Sequence, residues 1–376
     1  IKSRCLTVPA RDSAGYYSYE DIRSPVNFPG ENRSAVDGYA LKFEETLSST
    51  KTNPMIFKLM GAIGIGDENK ISINHGECMK VFTGSPIPEG ADTVVMKEDT
   101  DIASNEVRVF KQARKFQNIS LVGEDLKIGD VIIAHGRKIE PWHIPAFVEA
   151  GIESVKVTSA RIGILSTGDE LVNGKVKNSS APMIVSLIKR KGFDGEFLGN
   201  VRDDPEEIET ILDKYDGDII ILTGGSGPSE RDIVHSFLQD KGKIFFHGMR
   251  MKPGRTTGFG EYAGKPVFMI SGLPVASLIA YENVIDPALN SWFGIRSVQK
   301  KTVTGRLERS IYNNDAMKMF VRVSVSDVNG TVRVDPLRVT GSGVISSVIR
   351  ADGYLVIDEN VEGYADGEEV KVDILE

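Results

Sequence analysis

Cysteine is nearly missing from this chain. Cys5 and Cys78 are the only two in 376 residues. They leave no disulfide framework and no metal-binding spacing. Histidine is almost as sparse. His75, His135, His143, His235 and His247 form no i,i+3 or i,i+4 pair, which argues against a zinc site. No apolar run comes near the roughly 18 residues of a membrane span, and no signal peptide is visible. The chain starts at Ile1, and the missing targeting segment points to the cytoplasm. Low-complexity tracts, internal repeats and long linkers are absent as well. Positive charge is in deficit. A net charge of −8 argues against general nucleic-acid binding. An anionic ligand therefore needs a local basic cluster that overrides the global field.

What remains is the composition of a soluble globular protein, 40% hydrophobic and 26% charged. The length is too great for one core and implies two to four domains. The most informative stretch is Asp218-Ile219-Ile220-Ile221-Leu222-Thr223-Gly224-Gly225-Ser226-Gly227. Four large aliphatics in a row read as a strand buried on both faces, as in a parallel sheet. The strand stops in glycines, which turn sharply and let backbone N–H groups approach a ligand. Ser229-Glu230-Arg231-Asp232 then opens a helix. Strand, glycine loop and helix N-terminus together suit an anion such as phosphate.

Two further strands have the same form. Ile162–Leu165 runs into Ser166-Thr167-Gly168-Asp169-Glu170, and Val267–Ile270 into Ser271-Gly272-Leu273-Pro274. Ligands of open parallel sheets bind beyond the carboxyl ends of the strands, so the three hydroxyl-rich loops are expected to share one edge. Between them lie helices over Ala181–Lys191 (Met183, Leu187 and Ile188 inward), after Asp204-Pro205-Glu206-Glu207, over Ser229–Gln239 and from Pro274. Asp204 is a strong N-cap with proline at the first position and acids against the dipole. This α/β alternation runs from Arg161 to about Phe293 and predicts a mainly parallel sheet covered on both faces.

The flanking regions differ. From Met55 to Phe116 the pattern is β-rich, with strands expected over Met55–Met60, Gly76–Phe82, Thr93–Glu98 and Glu106–Val109. Pro141–Gly151 reads as a short helix with Ile144, Phe147 and Val148 on one face, ended by glycine. From Lys301 onward, alternating runs at Val303–Leu307, Met317–Ser326, Thr331–Leu337 and Gly353–Ile357 predict a small all-β domain.

Charged residues offer candidates with two readings each. Lys252-Pro253-Gly254-Arg255 is the one compact basic loop beside the glycine loops. It is either a solvated turn or a pair of cations aimed at phosphate or another tetrahedral oxyanion. Asp232 closes a capping box with Ser229, or holds Mg2+ beside substrate phosphates. Asp37, in Asp37-Gly38, reads from spacing alone as a turn aspartate. Glu124 and Asp125 read as a solvated turn.

Taken together the motifs resemble a family. Ser34-Ala35-Val36-Asp37-Gly38-Tyr39-Ala40 resembles the Ser-Ala-Met-Asp-Gly-Tyr-Ala signature of the molybdopterin molybdenumtransferases, the MoeA / gephyrin E-domain family. Phe82–Asp92, Gly123-Glu124-Asp125, Ser166–Leu171, Thr223-Gly224-Gly225 and Met251–Arg255 resemble further motifs in the family's order. The likeness runs from Ile22 to near the end of the chain.

The resemblance implies a multidomain α/β plus β protein in four parts. These are a discontinuous linker (1–30 and 131–158), a β-rich inserted lobe (31–130), a three-layer molybdopterin-binding α/β domain (159–298) and a C-terminal β-barrel (299–376). It implies a homodimer with the active site at the subunit interface, and insertion of molybdate or tungstate into adenylylated molybdopterin with release of AMP and a need for Mg2+. It maps functional acids onto Asp37, Asp125 and Asp232, with Asp232 at the metal, and the basic loop onto Lys252 and Arg255. It implies substrate contacts at Thr167, Gly168, Asp169, Thr223, Gly224, Gly225, Ser226, Ser271, Gly272, Pro274 and Ser277. A molybdopterin adenylyltransferase and cofactor-accepting enzymes are implied as partners. Alternatives are a molybdopterin adenylyltransferase activity, because the α/β block resembles that family too, or a non-catalytic scaffold of the gephyrin type. The chain departs from the family pattern in three places: Gly-Gly-Ser-Gly-Pro-Ser after the central strand, Leu273 where an asparagine is usual, and Arg255 where lysine is common.

Overall fold

The structure is a computed structural model that describes residues 4–67, 71–224, 233–296, 300–338 and 341–375. The chain parts into two compact units: 21–133 with 142–154, and 1–20 with 134–141 and 155–376. No helix among the described residues is long and apolar enough to cross a membrane.

The smaller unit is built on a six-stranded sheet. Its strands are β1 (Gly38–Leu41), β2 (Met55–Ile63), β3 (Glu77–Val81), β4 (Thr93–Met96), β5 (Thr100–Ala103) and β6 (Glu106–Val109). They lie in the order β4-β1-β3-β2-β6-β5, with only β2 and β3 parallel. Tyr39, Leu41, Phe57, Met79 and Val94 fill its core. Gly38 is not part of a turn, as Asp37-Gly38 suggests, but the first residue of β1. A Cβ there would lie 2.1 Å from the carbonyl oxygen of Val95 on the neighbouring strand, so the glycine answers to a close backbone approach. The helix expected over Pro141–Gly151 is a 3-10 turn followed by Ile144–Glu149, ended by Gly151 at φ +69. Phe147 is buried, but Val148 is 47% exposed and does not belong to the inward face.

The larger unit contains the α/β block. In chain order this is β7 (Arg161–Thr167), α1 (Ser180–Arg190), β8 (Asp194–Val201), α2 (Pro205–Lys214), β9 (Ile219–Thr223), α3 (Ile233–Lys241), β10 (Lys243–His247), β11 (Gly258–Tyr262), β12 (Lys265–Ile270), α4 (Pro274–Ala280) and α5 (Asp286–Trp292). The sheet order is β8-β7-β9-β12-β11-β10. Its first four strands are parallel, β11 runs antiparallel to them, and β10 pairs antiparallel with β11 and so runs with the first four. Ile219 to Leu222 are fully buried because helices cover both faces of the central strand. Each such side chain contributes about 1.5–3 kcal/mol of burial. Asp204 caps α2 by accepting from the Glu206 N–H, and Pro205 occupies the first turn. On α1 the buried residues are Ala181, Ile184 and Ile188, with Met183 and Leu187 at the margin of the core.

The rest of this unit is a closed five-stranded barrel. β13 (Thr302–Leu307), β14 (Lys318–Val328), β15 (Thr331–Arg338), β16 (Gly353–Ile357) and β17 (Glu369–Ile374) pair around the ring β14-β15-β13-β17-β16-β14. Met319, Val321 and Val323 point inside with Leu355 and Val372. The alternate residues Phe320 and Tyr354 belong to the core of the α/β block, so one outer face of the barrel is covered. Met251–Lys252 adds to the barrel as a parallel partner of Lys318–Met319.

Candidate functional site

At the carboxyl ends of β7, β9 and β12 the backbone converges. Gly224 has φ +91, and a Cβ on it would lie 2.2 Å from the Thr167 carbonyl oxygen. A Cβ on Gly272 would lie 3.3 Å from the Gly224 Cα. The three loops therefore pack main chain on main chain, which only glycine permits. A hydroxyl and amide network holds them in register. Ser166 Oγ and Thr223 Oγ1 are 2.6 Å apart. Asn178 donates to Ser166 Oγ at 2.8 Å, and its Oδ1 accepts from the Ala181 N–H at the start of α1. Ser180 Oγ donates to the Gly272 carbonyl at 2.7 Å. Ser277 Oγ lies 2.6 Å from the Ser271 carbonyl and 2.9 Å from that of Leu273.

Beside these loops lies a cleft of about 700 Å³. Thr167, Gly224, Ser271, Gly272 and Pro274 line one part of it, and Lys252 and Arg255 another. Thr167 Oγ1 is buried and has no hydrogen-bond partner among the described residues. Gly254 has φ +108 and turns the basic loop. Arg255 is exposed. Lys252 Nζ is paired with Asp315 Oδ2 from the loop ahead of β14. A third cation, Arg322 of β14, lines the same cleft although it is only 1% exposed. It donates from Nε to Ser347 Oγ at 3.2 Å and from Nη1 to the Phe320 carbonyl at 3.3 Å.

Several sequence-predicted residues have supporting places instead. Thr223 and Ser277 are buried and hold neighbouring loops rather than line the cleft. Gly168 leaves room for the Glu170 carboxylate, since a Cβ there would meet Glu170 Oε1 at 2.7 Å, and Glu170 does line the cleft. Asp169 lies next to Asp203, whose carboxyl is raised above its usual range by burial, with the Asp169 and Glu170 charges adding to the rise. Gly225, Ser226 and Asp232, with the expected helix start at Ser229, lie outside the described residues.

Asp37 and Asp125 belong to the smaller unit. Asp37 Oδ1 accepts from the Thr83 N–H at 2.9 Å and from the Thr83 hydroxyl at 3.0 Å. These bonds, the N–H first, hold its carboxyl below the usual carboxylate range, and Lys97 and Lys80 lower it further. Asp125 sits in a turn after Gly123, φ +68, with its N–H bonded to the Phe28 carbonyl and its side chain exposed. Asn178, Ser180, Arg322 and Asp315 escaped sequence reasoning. Asn178-Ser179-Ser180 ahead of an apolar run is a helix-start signal that could have flagged the first two. Nothing local marks the others.

Three family models match the chain. "MoeA N-terminal region (domain I and II)" covers 2–151, "Probable molybdopterin binding domain" 163–291 and "MoeA C-terminal region (domain IV)" 304–375. A Methanocaldococcus jannaschii protein assigned by name to molybdopterin biosynthesis is 39% identical over 95% of this chain and 89% of its own length. A molybdopterin molybdenumtransferase of Staphylococcus epidermidis is 26% identical over 100% of this chain and 92% of its own. The crystal structure of a molybdopterin biosynthesis MoeA protein from Pyrococcus horikoshii superposes with a TM-score of 0.84 at 29% identity, covering 100% of this chain and 95% of the other.

Proposed function

The chain belongs to the MoeA family, and from that premise we propose that it performs the last step of molybdenum cofactor assembly, inserting molybdate or tungstate into adenylylated molybdopterin with release of AMP. The observation that carries this reading is the cleft itself, where three glycine-rich loops meet two cations of one turn and a buried guanidinium. The Gly272 N–H and the unpartnered Thr167 hydroxyl suit phosphate and pterin polar atoms, while the Gly224 N–H is bonded to the Ile270 carbonyl and holds the loops together. Lys252, Arg255 and Arg322 suit a tetrahedral dianion.

The chemistry balances without an outside reductant or oxidant. One oxide leaves molybdate with two thiol protons as water while two Mo–S bonds form. One water adds across the phosphoanhydride and frees AMP. Lys252 and Arg255 neutralise the charge that develops as the anhydride breaks. No group of three or more potential metal ligands lies among the described residues, so Mg2+ would rest on the cleft carboxylate of Glu170 and on substrate phosphates, as an ion that favours about one or two carboxylates does. Asp232 is the second candidate ligand. A bound ion would supply Lewis-acid polarisation of the anhydride phosphate.

A cytoplasmic homodimer completes the proposal, in which Asp37 and Asp125 of the partner subunit serve the cleft as proton acceptors. What supports their role is chemical: Asp37 is kept ionised by Thr83, and the Asp125 carboxylate is exposed. The adenylylated substrate comes from a molybdopterin adenylyltransferase, and the product passes to cofactor-accepting enzymes.

The test mixes the full chain with adenylylated molybdopterin, Mg2+ and molybdate and follows AMP. Release that depends on the oxyanion, and is lost in Lys252→Ala and Arg255→Ala, is the expected result. Asp125→Ala should bind the adenylylated pterin yet release no AMP, and full release by that variant would remove Asp125 from the mechanism. Consumption of ATP with unadenylylated pterin would favour an adenylyltransferase instead.

A further inference from the structure

The two cations of the basic turn are in different states. Arg255 is exposed to the cleft, and no described residue is bonded to its guanidinium. Lys252 lines the same cleft with its ammonium already matched by the Asp315 carboxylate. Asp315 does not belong to the α/β block. It lies between the short strand Ile311–Tyr312 and β14 of the barrel. The residues after Asp315 are tied to those that lead into the basic turn. Arg250 donates to the Ala316 carbonyl at 2.8 Å, and the Lys318 N–H to the Arg250 carbonyl at 2.9 Å. The Met251–Lys252 ladder on Lys318–Met319 completes the seam. Backbone bonds therefore set the approach of Asp315 to Lys252.

We propose that Asp315 is a specificity-determining gate on the oxyanion site, a counter-ion that an incoming dianion must displace to reach Lys252. The inference rests on the oxyanion role of Lys252 and Arg255 proposed above. With the pair closed, the turn presents one uncompensated cation, enough for a monoanion. A tetrahedral dianion gains by engaging both, so it opens the pair more readily than a monoanion does. The side chains of Lys252 and Asp315 are 40% and 45% exposed, so water and salt screen the pair and its opening is cheap. Pairs of this kind shift an equilibrium by about fivefold at most. The gate thus biases selection without blocking entry.

Asp315→Asn in the full chain tests this with two probes. Calorimetric titration with sodium molybdate at low ionic strength should give binding about two- to fivefold tighter than wild type, the gap closing as salt is added. A sulfonated succinimidyl ester, an anionic acylating reagent, should modify Lys252 faster by a similar factor, read by peptide mass spectrometry. Asp315→Glu, which keeps the charge, should remain near wild type in both. Weaker or unchanged molybdate binding in a folded Asp315→Asn protein would overturn the gate and make Asp315 a strut that aims Lys252. If wild type takes up no molybdate, the oxyanion reading fails, and the acylation rate alone decides whether Asp315 masks Lys252. An unchanged rate overturns the masking as well.

Discussion

Gly224 and Thr167 touch through main chain alone, 2.2 Å separating the position of a Cβ on the first from the carbonyl oxygen of the second. The convergence of two strand ends depends on that missing carbon. Gly224→Ala adds a clash with backbone, which does not yield as a side-chain tip would, at a φ of +91. The expected loss is about 2–3 kcal/mol of stability, seen as a lowered thermal midpoint. Binding of the pterin substrate should fall with it.

Asp37 tests a local electrostatic claim. Its pKa is lowered chiefly by the Thr83 N–H and then by the Thr83 hydroxyl. Thr83→Val removes the hydroxyl bond and keeps the N–H bond, so the pKa rises part of the way back towards the ordinary value. The sign follows from which form is favoured. A depressed carboxylate pKa marks an ionised form held by its donors, and that stabilisation disappears as pH falls through the folded-state pKa. The acid limb of the pH–activity profile should move to higher pH in the variant, and carboxyl carbon NMR titration should report the same direction.

Arg322 gives a prediction about affinity. Its guanidinium lines the cleft from a buried position, fixed by Ser347 and the Phe320 carbonyl. Arg322→Lys keeps charge but loses the planar fork. Molybdate binding should weaken by about tenfold or more, matching one charge-assisted hydrogen bond of about 1.5–3 kcal/mol. Titration calorimetry measures this, and the unfolding midpoint checks that the barrel remains intact.

The two cysteines make a cheap check of the fold. Cys78 is fully buried in the sheet of the smaller unit, and burial pushes its thiol up to about 12. Cys5 is exposed. A disulfide reagent at neutral pH should titrate one thiol in the native protein and both in denaturant. Rapid native reaction of Cys78 would contradict the packing of Met79 and Val81 around it.

How far the molecule was legible in its sequence depends on which force shaped each part. The parallel strands are legible because burial on both faces leaves unbroken aliphatic runs, as at Ile219–Leu222. The loops after Thr167, Thr223 and Ile270 are legible because close backbone approach requires glycine. The strand β11 is not, because Gly258 and Gly260 break its pattern. Both glycines answer to neighbours that are remote in sequence: a Cβ on Gly260 would lie 2.4 Å from the Lys243 carbonyl oxygen. Gly38 looks like turn chemistry for the same reason. Arg322 is the plainest omission. In an alternating strand a charged residue reads as solvent-facing, and only the α/β block packed over that face of the barrel reverses the inference. Asp315 is illegible likewise, since its partner is 63 positions away.

The parallel ladder between Met251–Lys252 and Lys318–Met319 makes the two halves of the larger unit a single inheritance. The cationic turn takes its backbone support from a strand encoded well downstream, so excising the α/β block would leave the turn without its abutment. Shuffling that block alone into another protein would carry the glycine loops but strand Lys252. A transplant meant to keep Lys252 in place needs the barrel beside it.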